Sequence, residues 1–182
     1  STLLVLDFGG STIDMSIVAL EGGEGKASPI AQLVRFDGND LEGKSKQVLR
    51  TAKVLGKAGI RIGGKDIDRW IANYLLPDEK PTNLILRVAE ELKCDLSKVN
   101  TKETLIVSKK ATTNTKEDKF LKLSRQGLEK LLIDKGLLES IKMLFNQTIN
   151  IAKRNSFKLE HLDSIVLVGG GSQIPLIRNY LS

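Results

Sequence analysis

The run Leu3-Leu4-Val5-Leu6-Asp7-Phe8-Gly9-Gly10-Ser11-Thr12-Ile13-Asp14 decides how the chain is read. Four consecutive aliphatic residues are the pattern of a buried strand. That strand delivers a carboxylate, Asp7, to a turn holding two glycines. A second carboxylate, Asp14, begins a return segment in which Ile13, Met15 and Ile17 alternate with Asp14 and Ser16, the period of a strand. A β-hairpin is expected. Glycines let backbone N–H groups approach a phosphate with no Cβ in the way. Ser11 and Thr12 add hydroxyl donors, and Asp7 and Asp14 flank the turn, where either could hold Mg²⁺ or orient an attacking water. An ordinary β-turn has the same glycines, so the hairpin alone leaves both readings open.

Two further glycine pairs lie downstream. Ile165-Val166-Leu167-Val168-Gly169-Gly170-Gly171-Ser172 predicts a buried strand running into a turn that opens a helix, with Pro175 in the first helical turn. A helix N-terminus there would suit phosphate or ribose oxygens. The stretch is neither a P-loop, since no Gly-Lys-Ser/Thr follows, nor Gly-x-Gly-x-x-Gly. In Ile62-Gly63-Gly64-Lys65-Asp66-Ile67-Asp68 two glycines lead into a helix with Asp66 in the capping region. Each stretch also reads as a plain strand-to-helix connection or a capped helix start.

Around these turns the pattern is α/β. After a turn at Glu21–Lys26, Ile30–Phe36 is a candidate third strand, completing a meander. Asp37–Arg61, rich in lysine and arginine, reads as a solvated loop with a helical turn. Asp66–Leu76 has helical spacing, with Ile67, Ile71, Tyr74 and Leu75 on one face, and Pro77 and Pro81 end it. Asn83 would cap a helix over Leu84–Cys94 whose inner face is Ile85, Val88, Ala89 and Leu92. Short strands are expected at Thr104–Ser108 and Phe120–Leu123, with a polar loop at Lys109–Lys119 between them. Ser124 opens a helix through Leu132 with Leu128 and Leu131 inward. Leu137–Arg154 is a long helix with Ile141, Leu144, Phe145, Thr148, Ile149 and Ala152 inward. Early strands followed by helices alternating with strands imply a mixed sheet.

Composition narrows the function. The 182 residues are 41% hydrophobic, enough for one compact domain or two small subdomains. Aromatic residues are 4% of the chain, so base-stacking surfaces are scarce, and the net charge of +6 is not gathered into a stripe. Nucleic acid is therefore not the expected partner, whereas a polyanionic small molecule fits the basic balance. A lone cysteine, Cys94, excludes a disulfide framework and makes a reducing cytosol the default. A lone histidine, His161, excludes a histidine-rich metal site and reads as solvated. No apolar run near the start is long enough to span a membrane, and none has the flanks of a signal peptide. The chain opens on a strand pattern without an initiating Met, and an excised fragment is expected.

Taken together and in order, these motifs resemble those of the actin-like ATPase superfamily, and within it the heat-shock 70 kDa (DnaK-type) chaperones. Asp7 to Asp14 resembles the second phosphate motif. Gly63-Gly64-Lys65-Asp66-Ile67-Asp68 resembles the chaperones' Gly-Gly-x-Asp-Phe-Asp. Glu90, Lys93 and Ser97 match the Glu-x-x-Lys-x-x-x-Ser helix whose polar groups contact adenosine. Val166 to Pro175 resembles the adenosine motif, a Val-Gly-Gly turn followed by an Ile-Pro helix start. The resemblance covers nearly the whole chain.

It implies the second of two lobes that hold a nucleotide between them. Residues 1–61 and 125–182 would form an RNase H-like subdomain, a mixed sheet flanked by helices, and 62–124 a small inserted α+β subdomain over the adenine. The ligand would be ATP or ADP with Mg²⁺. Asp7 and Asp14 would position metal and water, and Gly9, Gly10, Ser11 and Thr12 would hold phosphates. Gly63 and Gly64 would join the nucleotide site, Glu90, Lys93 and Ser97 would bond adenosine, and Gly169, Gly170, Gly171, Ser172 and Gln173 would lie by the ribose and adenine. The first lobe, with its phosphate loop and catalytic lysine, is missing, so the fragment alone is not expected to complete hydrolysis. The implied partners are that lobe, a substrate-binding domain, a nucleotide-exchange factor and a J-domain cochaperone, in a cytoplasmic stress-response protein. The chain departs from the family pattern at Ser11, where a third glycine is usual, at Gln173, where an arginine commonly packs on adenine, and at Lys65, where an acidic residue is usual. These departures keep two alternatives open: a degenerate actin-like module serving protein–protein interaction, and a filament-forming actin-like protein.

Overall fold

A computed structural model of the chain describes residues 1–21, 51–98, 102 and 104–182. Three consecutive antiparallel strands open it: β1 (Thr2–Phe8), β2 (Ile13–Glu21) and β3 (Thr51–Ile60). Strand β6 (Ser164–Val168), from the far end of the chain, pairs parallel to β1, so the sheet runs β3-β2-β1-β6 and is mixed. Asp163 pins this long-range pairing: its N–H donates to Thr2 O at 2.9 Å, and its Oδ2 accepts from Thr2 N at 2.6 Å.

The period of two predicted for the hairpin sorts its faces. Leu4, Leu6 and Phe8 of β1 and Ile13, Met15 and Ile17 of β2 are fully buried on one side. Helix α4 (Leu137–Lys153) covers that side. Its close approach needs Gly56 of β3, where a Cβ would lie 2.7 Å from Thr148 O and 2.9 Å from Ala152 Cβ. A bulge between Ile17 and Val18 leaves Leu55 unpaired in β3, and Asn155 Nδ2 donates to its carbonyl at 2.7 Å.

The remaining helices are α1 (Gly64–Leu75), α2 (Asn83–Leu96), α3 (Arg125–Asp134) and α5 (Pro175–Leu181). Strands β4 (Ile106–Thr112) and β5 (Asp118–Ser124) form a separate two-stranded hairpin packed against α2. Salt bridges fasten it: Lys109 to Asp95 at 2.7 Å and Lys119 to Glu79 at 2.8 Å. Among the described residues, the buried side chains of the two sheets and of helices α1 to α5 join one apolar core.

Several expectations are corrected. Part of the stretch read as a solvated loop at Asp37–Arg61 is strand β3; its lysines point to water while Leu55, Gly56 and Ala58 meet the protein, and lysine count hid the pattern. The strand predicted at Ile30–Phe36 and the turn at Glu21–Lys26 lie, beyond Glu21, outside the described residues. The polar loop at Lys109–Lys119 is shorter, because β4 runs on to Thr112 and β5 starts at Asp118; a ribbon wet on one face carries polar residues along its length. Strand β6 is not buried: Ile165, Val166 and Val168 are about 40% exposed at the sheet edge. Thr82, not Asn83, caps α2, its Oγ1 accepting from Ile85 N at 3.3 Å. Tyr74 is exposed rather than on the inner face of α1. Ser124 caps α3 as read, accepting from Gly127 N at 2.9 Å, and His161 is exposed as read. Cys94 is exposed and free. Among the described residues no helix is long and apolar enough to cross a membrane.

Candidate functional site

The carboxyl ends of β1 and β6, parallel neighbours in the sheet, point the same way, the end at which open α/β sheets bind ligands. Asp7 is directly opposite Asp14 in the β1–β2 register, so the two carboxylates share a face. Gly9 N donates to Thr12 O at 2.9 Å and closes the turn. Thr12 Oγ1 donates to Asp14 Oδ2 at 3.0 Å. Gly59 of β3, opposite Asp14, leaves room for that carboxylate; a Cβ there would lie 2.6 Å from Asp14 Oδ1. Asp7, Gly10, Ser11 and Thr12 are exposed and Asp14 is half-buried. Like charges directly opposite each other destabilise a sheet, and among the described residues neither carboxylate has an ion-pair partner. Nor do the described residues gather three or more acidic, His or Cys groups into a metal cluster. A pair of carboxylates at a solvent-facing turn fits a hard cation that keeps most of its water and takes its remaining ligands from phosphate, as Mg²⁺ does.

The start of α1 is docked on this turn. Gly64 N donates to Gly9 O at 3.0 Å and Lys65 N to Gly10 O at 2.9 Å. Asp66 Oδ2 accepts from Gly63 N at 2.8 Å, the return half of a capping box whose other half glycine, having no side chain, cannot supply. Gly63 is in contact with the turn's backbone: a Cβ would sit 2.4 Å from Ser11 N and 2.5 Å from Gly10 C. The N–H groups of Gly63 and Gly64 are thus engaged inside the protein, and these glycines brace the Gly9–Thr12 turn.

The third glycine segment closes the site from β6. Gly169 has φ of +85°, and a Cβ there would lie 2.4 Å from Phe8 O and 2.8 Å from Asp7 Oδ1. Gly171 lies against the Phe8 ring, 2.4 Å from Cδ2 for a Cβ. Gly170 has no neighbour within 4 Å in that direction. Ser172 is buried and its Oγ donates to Gly169 O at 2.6 Å, holding the turn that leads into α5.

Lys93 projects from α2 toward α1. Its Nζ donates to Gly64 O at 3.2 Å and pairs with Asp68 Oδ1 at 2.7 Å. Burial pushes the Asp68 carboxyl above its ordinary range, while the Lys93 hydrogen bond pulls the other way. Ser97 Oγ donates to Lys93 O at 2.7 Å, and Glu90 is exposed on the same helix. Ser97 and Gln173 line one cavity of about 170 Å³ with Arg125, Pro175, Arg178 and Asn179. The geometry therefore brings Ser97 and Gln173 together, while Lys93 is turned to Asp68 and Gly64 and Glu90 lies outside that cavity. The sequence reading missed Arg125 and Arg178; arginines from two different helices, one opening α3 and one in the last turn of α5, that face one cleft have no local signature.

The fold defines the class: a mixed α/β chain with a glycine turn at the carboxyl end of each of two parallel strands. The family model described as Hsp70 protein matches residues 1–182, and the chain belongs to that family. It is similar to the chaperone protein HscA homolog of Rickettsia felis, 30% identical over 98% of this chain. It is also similar to the chaperone proteins DnaK of Thermosipho melanesiensis, at 28% identity, and of Endomicrobium trichonymphae, at 29%, each over 98% of this chain. The chain spans between 21% and 27% of the length of these relatives.

Proposed function

We propose that this chain is the second lobe of the nucleotide-binding domain of a DnaK-type chaperone ATPase and grips ATP or ADP together with Mg²⁺. One observation carries the reading: two glycine segments distant in sequence, Gly63–Gly64 and Gly169, pack on the backbone of the single stretch Phe8–Ser11, Gly63–Gly64 against the Gly9–Ser11 turn and Gly169 against Phe8 beside the Asp7 carboxylate. Contacts this close have no room for side chains and leave the turn's exposed edge free for a phosphate.

In this reading the Gly9–Thr12 turn holds phosphates, and Asp7 and Asp14 hold the metal and position water. Mg²⁺, when bound, neutralises charge developing on the phosphates. Gly169, Gly170, Gly171, Ser172 and Gln173 border the ribose and adenine, faced by Glu90, Lys93 and Ser97. The division into an RNase H-like subdomain, 1–61 with 125–182, and a small subdomain, 62–124, belongs to the same proposal. So do the missing first lobe, which supplies the catalytic lysine, a substrate-binding domain, a nucleotide-exchange factor and a J-domain cochaperone. Positioning and charge stabilisation do the chemistry, and movement of the small subdomain relays the nucleotide state.

Calorimetric titration of the intact protein with MgADP tests this. Binding that Asp7→Ala weakens at least tenfold supports the assignment. No heat up to millimolar MgADP, from protein shown to be folded, refutes it.

A further inference from the structure

We propose that Lys65 is a phosphate-binding residue of this site, an ammonium laid across Gly10 to meet the charged end of a nucleoside diphosphate or triphosphate. The proposal rests on the nucleotide reading above and adds a residue for which the resemblance has no role.

The backbone of Lys65 is anchored on the turn itself, its N–H donating to Gly10 O at 2.9 Å. Its side chain runs back over the same residue: Cε lies 3.9 Å from where a Gly10 Cβ would be. A glycine at position 10 therefore leaves a gap between the turn and the lysine stem. The side chain is exposed, so its ammonium is not held in the core.

Charge pairing separates Lys65 from its neighbours. Helices α1 and α2 carry four cations, Lys65, Arg69, Arg87 and Lys93. Arg69 pairs with Asp66, Arg87 with Glu91, and Lys93 with Asp68. Lys65 alone among them has no acidic partner among the described residues. The N–H groups at the start of α1 are already spent on Gly9 and Gly10 carbonyls, so this helix end cannot supply free donors to an anion. The lysine can. A polyphosphate at this turn also meets two carboxylates, Asp7 and Asp14, and a third charge of opposite sign nearby offsets their repulsion. A plain solvated lysine would have no reason to affect one part of the ligand more than another, and that difference is measurable.

Equilibrium binding of adenosine, ADP and ATP, each with Mg²⁺, should be measured on the intact protein, Lys65→Met and Lys65→Arg. Lys65→Met keeps the stem and removes the charge. The expected result is ADP and ATP bound roughly three- to tenfold more weakly by Lys65→Met, adenosine unchanged, Lys65→Arg near wild type, and a defect that shrinks with added salt. Equal ADP affinity in wild type and Lys65→Met overturns this proposal and leaves the nucleotide reading standing. An equal loss for adenosine and ADP marks a structural role and also overturns it. A wild-type protein that binds none of the three overturns the nucleotide reading and this one with it.

Discussion

Lys93 Nζ lies 2.7 Å from Asp68 Oδ1, and the contacts continue from that pair to the Asp14 carboxylate. Lys93 donates to Gly64 O, Gly64 N to Gly9 O, Gly9 N to Thr12 O, and Thr12 Oγ1 to Asp14. The pair ties α1 to α2 at the base of the Gly9–Thr12 turn. Both side chains are nearly buried, 12% exposed for Lys93 and 9% for Asp68. Removing one partner leaves the other charge desolvated and alone. Asp68→Ala should therefore destabilise the protein by roughly 3–5 kcal/mol, read from the denaturant midpoint. The double variant Asp68→Leu/Lys93→Met, which leaves no orphan charge, should recover part of that loss. Additive losses in the double variant would show that the two groups do not interact.

The same carboxyl predicts a pH dependence with a definite sign. Burial raises Asp68 above its ordinary value of 3.8, so the folded protein holds this proton more tightly than the unfolded chain. The group's contribution to stability is fully present below the unfolded value and is lost as pH rises through the folded one. Asp95, Glu79 and Asp118 act oppositely: hydrogen bonds from lysines lower them, and their contributions are lost on acidification. Comparing wild type with Asp68→Asn cancels those shared terms. The stability of wild type minus that of Asp68→Asn should fall as pH rises from about 4 toward neutrality. A difference that grows with pH would mean that the Lys93 contact outweighs desolvation.

The Gly169-Gly170-Gly171 run separates backbone need from mere smallness. Gly169 has φ of +85° and would place a Cβ 2.4 Å from Phe8 O. Gly169→Ala should cost roughly 1–3 kcal/mol from the backbone conformation alone, with the clash in addition. Gly171→Ala drives a Cβ into the ring of fully buried Phe8 and should be comparably harmful. Gly170→Ala meets nothing and should change stability by no more than about 0.5 kcal/mol. Thermal or denaturant unfolding of the three variants checks the order.

What could be read without coordinates divides along physical lines. The β1–β2 hairpin was legible because four aliphatic residues and a strict alternation leave one register that buries Leu4, Leu6, Ile13 and Met15 together. Helices α3 and α4 were legible from Ser124 and from an apolar stripe at helical spacing. Strand β3 was not, because its inward positions are glycine and alanine beneath α4, and small residues carry no hydropathy signal. The exposure of β6 was not, because the apolar run Ile165–Val168 looks the same at a sheet edge as in its middle. In the candidate site, residue types at the turns were visible in advance. Their convergence was not: Gly63 against Gly10 and Gly169 against Phe8 are backbone contacts set by tertiary packing, which also sets the ion pair that turns Lys93 toward Asp68.

Asp7 and Asp14 face each other across two strands without a cation among the described residues to separate them, an arrangement that costs the free protein stability. Asp14→Asn keeps an oxygen to accept the Thr12 hydroxyl bond and removes one charge. In the absence of metal and nucleotide the variant should be more stable than wild type, by about 0.2–1 kcal/mol. With MgADP the order should reverse if Asp14 holds the metal as proposed, because ligand bound to the native state stabilises it in proportion to the logarithm of its concentration over Kd, and Asp14→Asn would lack that ligand. A carboxylate pair kept for sheet structure would show no such reversal. Melting curves of both proteins with and without MgADP therefore separate a site held at the expense of stability from a chance pairing of two aspartates.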